Sequence, residues 1–588
     1  MSFGKRMRSS ILGGSGLPIL VFVTLATPAY AQSGALQGSG SLVQPDFSEC
    51  GNTSVAASDP ARGGGTVAVG QTTAGAANTA NDLGTKCHTG LGVVPSGVTV
   101  AFQSQPGTPQ TLESDSAAPA LLASERPSVL SLTAAQLASL RRGVAQMKAW
   151  NSEPHGSANF RRSWIYWANM HSYFGTGCAA VSGLSAAGMS GLTAQSKSNA
   201  DEQATWCTCQ HGTIQFLTWH RMYLYYFEKV LQAAAGDANL RLPFWDYESN
   251  AQMPAAYRDQ TYVNSMGQTV ANPLYIPNRQ PQLNAGTSSL SASVVSTSNA
   301  MAQTSYSPFN SALEGTPHGA VHCAVGVANC PTGYMGAVPA AGNDPIFYTH
   351  HTNIDRLYEC WLRVSPTTRL PTNAAQLATI FNFIDGSGAL VQSKVADMLT
   401  VAQLGYHYAA GGGCPVTRSA GFTAALERET PVRTIPLLGP TALKRGTTVV
   451  PLTTAPQTRS LLLGAVSDGG SAATRLRLVI DGLTYDEAPQ VLYEVYLQDS
   501  AGKRALLGVI NFFNQSAPHM EHDGMAMAAP ANETVFDATA ALAALGTGAT
   551  ALVLEPSSGV SGGTVAAASQ RISARANVRF SAARIEER

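Results

Sequence analysis

The chain holds 12 histidines, and six of them fall at spacings that suit a shared metal ion. His318 and His322 are four residues apart, so on a helix both imidazoles share one face and can converge on one ion. His351 lies in DPIFYTHHTNIDRLYECW beside His350. Those two differ by about 100° around a helix, so only one can turn inward. His171 closes the aromatic run WIYWANMH. His211 and His220 are separated by about 180° on a continuous helix and cannot meet from a single one. His211 therefore belongs in the loop beside Gly212, with His220 one or two turns into the helix that follows. Each histidine has a plainer reading: one in an aromatic helix is commonly a core or surface residue, and an isolated HxxxH pair is commonly no site at all. Six together favour metal. Three neutral imidazoles per ion with an open position is a ligand set that suits copper.

The elements that would position these groups can be read from periodicity and caps. A helix starts after Thr133 in AAQLASLRRGVAQMKAW, with Thr133 as N-cap. A second is WIYWANMH, residues 164–171, and a third runs from about Ile214 to Ala235 and stops at Gly236. A fourth opens at Asp344-Pro345, where Asp344 caps and Pro345 takes the first helical position. Residues 255–312 read as long connections with little regular structure. After Cys414 the period changes. Alternating apolar residues in TRLRLVIDGLTYD, VLYEVYLQD, KRALLGVINFFN, ATALVLEP and RISARANVRF predict a β-sandwich-like or barrel-like domain.

The expected organisation is a leader over 1–31, a loop-rich segment over 32–125, a mainly helical domain over 126–414, a linker over 415–450 and a β-rich domain over 451–588. The leader has Lys5, Arg6 and Arg8, an apolar run from Leu17 to Leu25, and the cleavage-type triplet Ala29-Tyr30-Ala31. It predicts export by the secretory route to a periplasmic or extracellular location, with no membrane association after cleavage. Lys+Arg and Asp+Glu both number 36, so the formal net charge is zero. That balance argues against nucleic acid as a partner and for a small uncharged one. Nine cysteines in an exported chain leave one without a disulfide mate.

CQHGTIQFLTWHRMYLYYFEKVL (209–231) and DPIFYTHHTNIDRLYECW (344–361) resemble the two copper signatures of the tyrosinase, catechol oxidase and hemocyanin group. LEGTPHGAVH (313–322) is similar to the segment that opens the second copper site in plant polyphenol oxidases. FNFIDGSGALVQSKVADMLTVAQLGYHY (381–408) resembles the end of the plant-type catalytic domain, and the strands around LVIDGLTYDEAPQVLYEVYLQ resemble the domain that follows it. The likeness covers roughly 126–588. It implies a four-helix bundle around a binuclear type 3 copper site, followed by an all-β C-terminal domain that shields it.

The resemblance implies that His171, His211 and His220 hold one copper and His318, His322 and His351 the other, with dioxygen as co-substrate. The family pattern selects His351 over His350, which is left packed or behind the ligands. Phe347, sharing the face of His351, would wall the pocket together with Gly319 and Cys323, the last either at the mouth or bridged to Cys330. Asp355 would receive an imidazole N–H and fix its tautomer, unless it serves a helix salt bridge. Cys209 matches the cysteine that forms a thioether with the histidine two residues on, His211, in fungal tyrosinases and molluscan hemocyanins; a disulfide from Cys209 stays open. Glu314 matches a carboxylate that holds water near the metal and can take the phenolic proton, or it caps a turn.

The implied activity is oxidation of o-diphenols to o-quinones, with reduction of dioxygen to water, on a small phenolic or catecholic substrate. Many members that hydroxylate monophenols carry asparagine where Gly319 stands, though some with glycine accept monophenols too. An o-aminophenol oxidase and a hemocyanin-like oxygen carrier are the alternatives. In the shielding domain, Phe512-Phe513 would supply an aromatic plug. His519, Met520, His522, Met525 and Met527 would suit copper delivery, with or without a partner, or form an incidental loop.

Overall fold

The structure of the protein is a computed structural model. It describes residues 124–176, 178, 191–366, 368–414, 433–452, 475–513, 533–545 and 549–587, all within one compact unit, Asp115–Arg588. The expected leader, nearly all of the loop-rich segment with Cys50 and Cys87, and the His/Met-rich stretch 518–529 lie outside the described residues.

Helix α1 (Ala134–Ala149) opens on a reciprocal capping box: Gln136 N–H donates to Thr133 Oγ1, and Thr133 N–H donates to Gln136 Oε1. Helix α2 (Trp164–His171) is capped by Ser163. Helix α3 (Phe216–Ala235) ends at Gly236, whose φ of 61° is the left-handed cap that glycine takes without a Cβ penalty. Helix α4 (Tyr306–Leu313) runs into an irregular turn, Glu314–Gly319, in which Thr316 leaves helical geometry; α5 (Ala320–Val325) continues from it. Helix α6 (Pro345–Val364) begins as expected, with Asp344 accepting from Ile346 N–H at 3.0 Å. Arg279 clamps that cap through two bonds of 2.6 and 2.9 Å to the Asp344 carboxylate.

A buried aromatic seam holds α2, α3 and α6 together. Phe227 and Tyr348 stack at 3.6 Å between centroids, and Trp164 meets Tyr348 edge-on at 5.1 Å. Each such pair contributes ~0.5–1.5 kcal/mol beyond its area burial. Tyr223 O–H donates to the Trp167 carbonyl at 2.6 Å, so the buried phenol is satisfied. His220, Tyr223 and Phe227 fall at helical spacing on one stripe of α3. The stripe that builds the seam thus also fixes where His220 points.

Two parallel strands, β1 (Ser124–Arg126) and β2 (Tyr406–Tyr408), tie the beginning of the helical domain to its end. Beyond it lies a β-sandwich-like domain of two four-stranded antiparallel sheets. Its strands are β3 (Arg433–Leu438), β4 (Thr448–Pro451), β5 (Leu476–Asp481), β6 (Leu492–Gln498), β7 (Arg504–Ile510), β8 (Glu533–Asp537), β9 (Ala551–Ser557) and β10 (Ala582–Glu587). One sheet has the order β4-β9-β6-β7 and the other β8-β5-β10-β3.

The helical and β-rich halves follow the expected class, with differences at three places. Residues 433–450, expected as linker, already contribute β3 and most of β4. RISARANVRF supplies only the short strand Arg579–Phe580, because a helix occupies Val565–Arg571 and Asn577 sits at φ 44°, which interrupts an extended run. The stretch 255–312 contains short helices and a hairpin, Thr261–Val263 with Thr269–Ala271, where little regular structure was expected.

Candidate metal centre

Two groups of potential ligands face each other inside the helical domain. His171, Cys209, His211 and His220 form the first, and His318, His322, His350 and His351 the second; within each, one ligand atom per residue lies within 4.8 Å of the others. The groups are adjacent: the His220 and His351 rings stack at 4.5 Å with 12° between planes. The first group draws on the end of α2, on α3, and on the loop before α3. His211 stands in that loop, as the nine-residue spacing requires. The second draws on the irregular turn, on α5 and on α6.

The tautomers suit a metal. Nδ1 of His171 lies 3.2 Å from the Val338 carbonyl, that of His220 2.8 Å from Phe216 O, that of His318 2.9 Å from Glu314 O and that of His322 2.8 Å from Met335 O. A carbonyl only accepts, so each Nδ1 carries the proton and each Nε2 presents a lone pair. Nε2 of His171 and of His318 are buried with no hydrogen-bond partner among the described residues. His322 Nε2 and His351 Nε2 stand 3.1 Å apart. Buried nitrogens without partners are costly, and a shared cation relieves that cost. Burial, and then the neighbouring imidazoles, hold the pKa of His171, His318, His322 and His351 far below the usual range, and burial takes His211 down to about 3. All five are therefore neutral at pH 7, the state a metal needs. The donor set fits two ions held by imidazole.

Cys209 is the free cysteine among the described residues, and it is buried. Its Sγ lies 3.5 Å from Nδ1 and 3.7 Å from Nε2 of His211, so it sits near the plane that bisects the ring through Cε1. The remaining described cysteines pair as Cys178–Cys207, Cys323–Cys330 and Cys360–Cys414. Cys323, expected either at the pocket mouth or in a bridge, takes the bridge: its sulfur is committed to Cys330 and the residue has no exposure. The pocket-wall reading of Cys323 is corrected accordingly.

Phe347 stands between the groups, with ring centroids 4.8 Å from His171, 4.2 Å from His351 and 5.8 Å from His322. Glu314 Oε1 accepts from Gly212 N–H at 2.6 Å, which links the second group's turn to the first group's loop. Desolvation pushes the Glu314 carboxyl up to about 8 against the pull of that N–H; a nearby cation would favour its charged form.

Asp355 requires correction. Its carboxylate bonds Arg221 Nε at 2.5 Å and accepts from the Tyr406 and Tyr408 hydroxyls at 2.7 and 2.6 Å, with Arg126 3.6 Å away. With both oxygens committed to these partners, Asp355 orients no imidazole. It anchors β1 and β2 to α6, and the coulombic pull of Arg221 and Arg126 outweighs burial and lowers its pKa.

Two features sharpen readings made from the sequence. His350 stands within the second group, its ring 4.9 Å from His322 and 5.6 Å from His318; the adjacent His350-His351 doublet was the available signal. Second, β7 leads into Asn511-Phe512-Phe513, where alternate residues point to opposite sides. Phe512 turns back onto Tyr485 and Tyr493, while Phe513 crosses to the metal centre and stacks on His322 at 3.9 Å and 13°. The plug is one ring of the expected pair.

Residues 161–289 and 267–364 match the family model described as the common central domain of tyrosinase. These residues form a tyrosinase-type central domain. A tyrosinase of Hahella sp. is 29% identical over 352 residues, which cover 54% of this chain and 73% of that protein. The chloroplastic polyphenol oxidase of Malus domestica is 27% identical over 332 residues, covering 49% of this chain and 54% of its own length. Aureusidin synthase of Antirrhinum majus is 27% identical over 34% of this chain and 40% of its own. By their names these relatives are oxidoreductases of the tyrosinase type. Latent apple tyrosinase matches as a structure with TM-score 0.47 and 20% identity over 79% of this chain and 97% of that one, a likeness too loose to argue from. Among the described residues, no helix is long and apolar enough to cross a membrane.

Proposed function

We propose that the chain is a copper-dependent polyphenol oxidase that converts o-diphenols to o-quinones and reduces dioxygen to water. The observation that carries the reading is the pair of facing imidazole groups, in four of whose histidines the Nδ1 proton leaves Nε2 with a lone pair. His171, His211 and His220 would hold one copper, and His318, His322 and His351 the other. A copper pair at this place supplies a two-electron exchange between dioxygen and substrate. Two catechols each lose two electrons and two protons, and one dioxygen becomes two waters.

The chain's own residues bind, orient and dry the reaction. With Oε1 of Glu314 held by Gly212 N–H, Oε2 is left to accept the phenolic proton. Phe347 and Phe216, against the imidazoles, exclude water. Phe513 lies flat on His322 where a substrate ring would enter, so the β-rich domain acts as a shield. The position of Cys209 supports a thioether to His211, which would lock that imidazole on the one ligand carried by a loop. Export belongs to the same proposal, resting on the leader-type sequence. The o-aminophenol alternative has no observation of its own here. Oxygen binding without turnover has one, the covered His322.

The test is turnover of 4-tert-butylcatechol and of tyramine by the copper-loaded chain, before and after limited proteolysis of the β-rich domain. Catechol oxidation that rises on proteolysis supports a shielded oxidase, and the tyramine trace reports hydroxylation. No catechol turnover in either state, at full copper occupancy, would sink the oxidase reading in favour of a carrier.

A further inference from the structure

The shield is held by more than the Phe513 ring. Asn511, two residues before it on the same side of the chain, lies directly over Gly319. An ideal Cβ at Gly319 would stand 2.6 Å from Asn511 Oδ1 and 3.0 Å from its Cγ and Nδ2. The carboxamide has no room to step aside, because it is held at both ends. Nδ2 donates to the Gly315 carbonyl at 2.8 Å, and Oδ1 accepts from Phe513 N–H at 3.2 Å. The second of these bonds sets the backbone that carries the plug. Both contact points, Gly315 O and Gly319 Cα, belong to the turn that also carries Glu314 and His318.

We propose that Gly319 is a socket read by the β-rich domain: its missing side chain admits the Asn511 carboxamide, and that contact seats Phe513 on His322. Any side chain at 319 then acts on access to the metal centre through the shield as well as on the pocket itself. In this chain the choice of residue after His318 couples substrate scope to shielding. An asparagine at 319 would compete with Asn511 for the same space and would unseat the plug. Other cross-domain contacts, apolar ones around Val294, Ala324, Leu492 and Val560 and several polar ones, lie apart from this one. The polar ones include Asn329 Nδ2 to Ser558 O at 2.8 Å, Arg571 to Asn329 Oδ1 at 3.0 Å, and Asn299 Nδ2 to Val535 O at 2.9 Å. Loss of the socket therefore loosens one edge of the shield rather than the whole domain. The inference deepens the proposed function by naming how the same site is shielded, and its principal readout does not depend on turnover.

The experiment is a double-mutant cycle in the full chain: wild type, Gly319→Ala, Asn511→Gly and the pair. Each is followed copper-free by hydrogen exchange of a peptide spanning 509–513, and copper-loaded by catechol turnover. Thermal melts check that all four fold. A steric socket predicts that Gly319→Ala speeds exchange of that peptide about tenfold in the wild-type background and less than about twofold in the Asn511→Gly background, the non-additivity of residues in direct contact. Equal acceleration in both backgrounds would mean general loosening of the turn and would overturn the inference. So would unchanged exchange in Gly319→Ala. Faster exchange with the predicted coupling but no catechol turnover in any variant would leave the socket standing and remove the oxidase reading instead.

Discussion

The two imidazole groups are closed by different means. The first is closed mostly from within its own domain: His171 ends a buried helix, His220 sits on the aromatic stripe of α3, and Cys209 presses on the single loop-borne ligand, His211, which the edge of Phe513 also reaches at 5.9 Å. The second shares the same buried core on one side but is covered on the other by Asn511 and Phe513, from a domain nearly two hundred residues further on. A group sealed by its own helices is built to hold its ion. On the proposed reading, one covered by a second domain can be opened. The proposed shield would control access over His318 and His322.

The largest effects should come from the ligands themselves. His351→Ala is expected to lower bound copper from about two ions per chain to about one, with catechol turnover at background; metal analysis and a turnover assay check both. Glu314→Gln should keep copper at the wild-type level and reduce kcat by about 10²–10⁴, the usual worth of a positioned base. Retained kcat would return Glu314 to a structural role. Asp355→Ala, far from substrate, should instead cost about 3–5 kcal/mol of stability by taking from buried Arg221 its nearest carboxylate, while Arg126 keeps Glu228 at 2.9 Å. Chemical denaturation of the copper-free chain measures it.

Smaller effects separate the two halves. Phe513→Ala should raise turnover of the intact chain by up to about tenfold, the worth of one buried ring stack, without changing copper content. Cys209→Ser should do the reverse. It leaves access alone and weakens copper at the first group by under about tenfold, the low end for a residue that orients a ligand. Intact mass adds a second check, since a thioether makes the copper-matured wild type lighter by two hydrogens and the variant cannot form it. If Phe513→Ala altered copper binding and Cys209→Ser altered access, the contrast between the halves would be wrong.

Local signals carried the helical frame. Thr133, Gly236 and Asp344-Pro345 mark helix ends by mechanisms that need no tertiary context, and the histidine spacings follow from helix geometry. For Asp355 the salt-bridge alternative holds over the imidazole reading, because a helical wheel gives its face but not the neighbours on it; Arg221 and Arg126 come from other elements. Helix geometry and the family pattern turn only one ring of the His350-His351 doublet inward, yet in a centre this crowded both rings meet the second group. Asn511 could not be found at all. Its contact with Gly319 depends on a strand ending over a turn, and no periodicity links the two. The strands at 433–451 were missed for a related reason: they are short, and their partners β9 and β10 lie over a hundred residues away.

The most direct test of the central claim is anomalous scattering at the copper edge from crystals of the copper-loaded chain. The account predicts two peaks, one among Nε2 of His171, His211 and His220 and the other among Nε2 of His318, His322 and His351. A single peak at full loading, or a second ion held by His350 in place of His351, would contradict it.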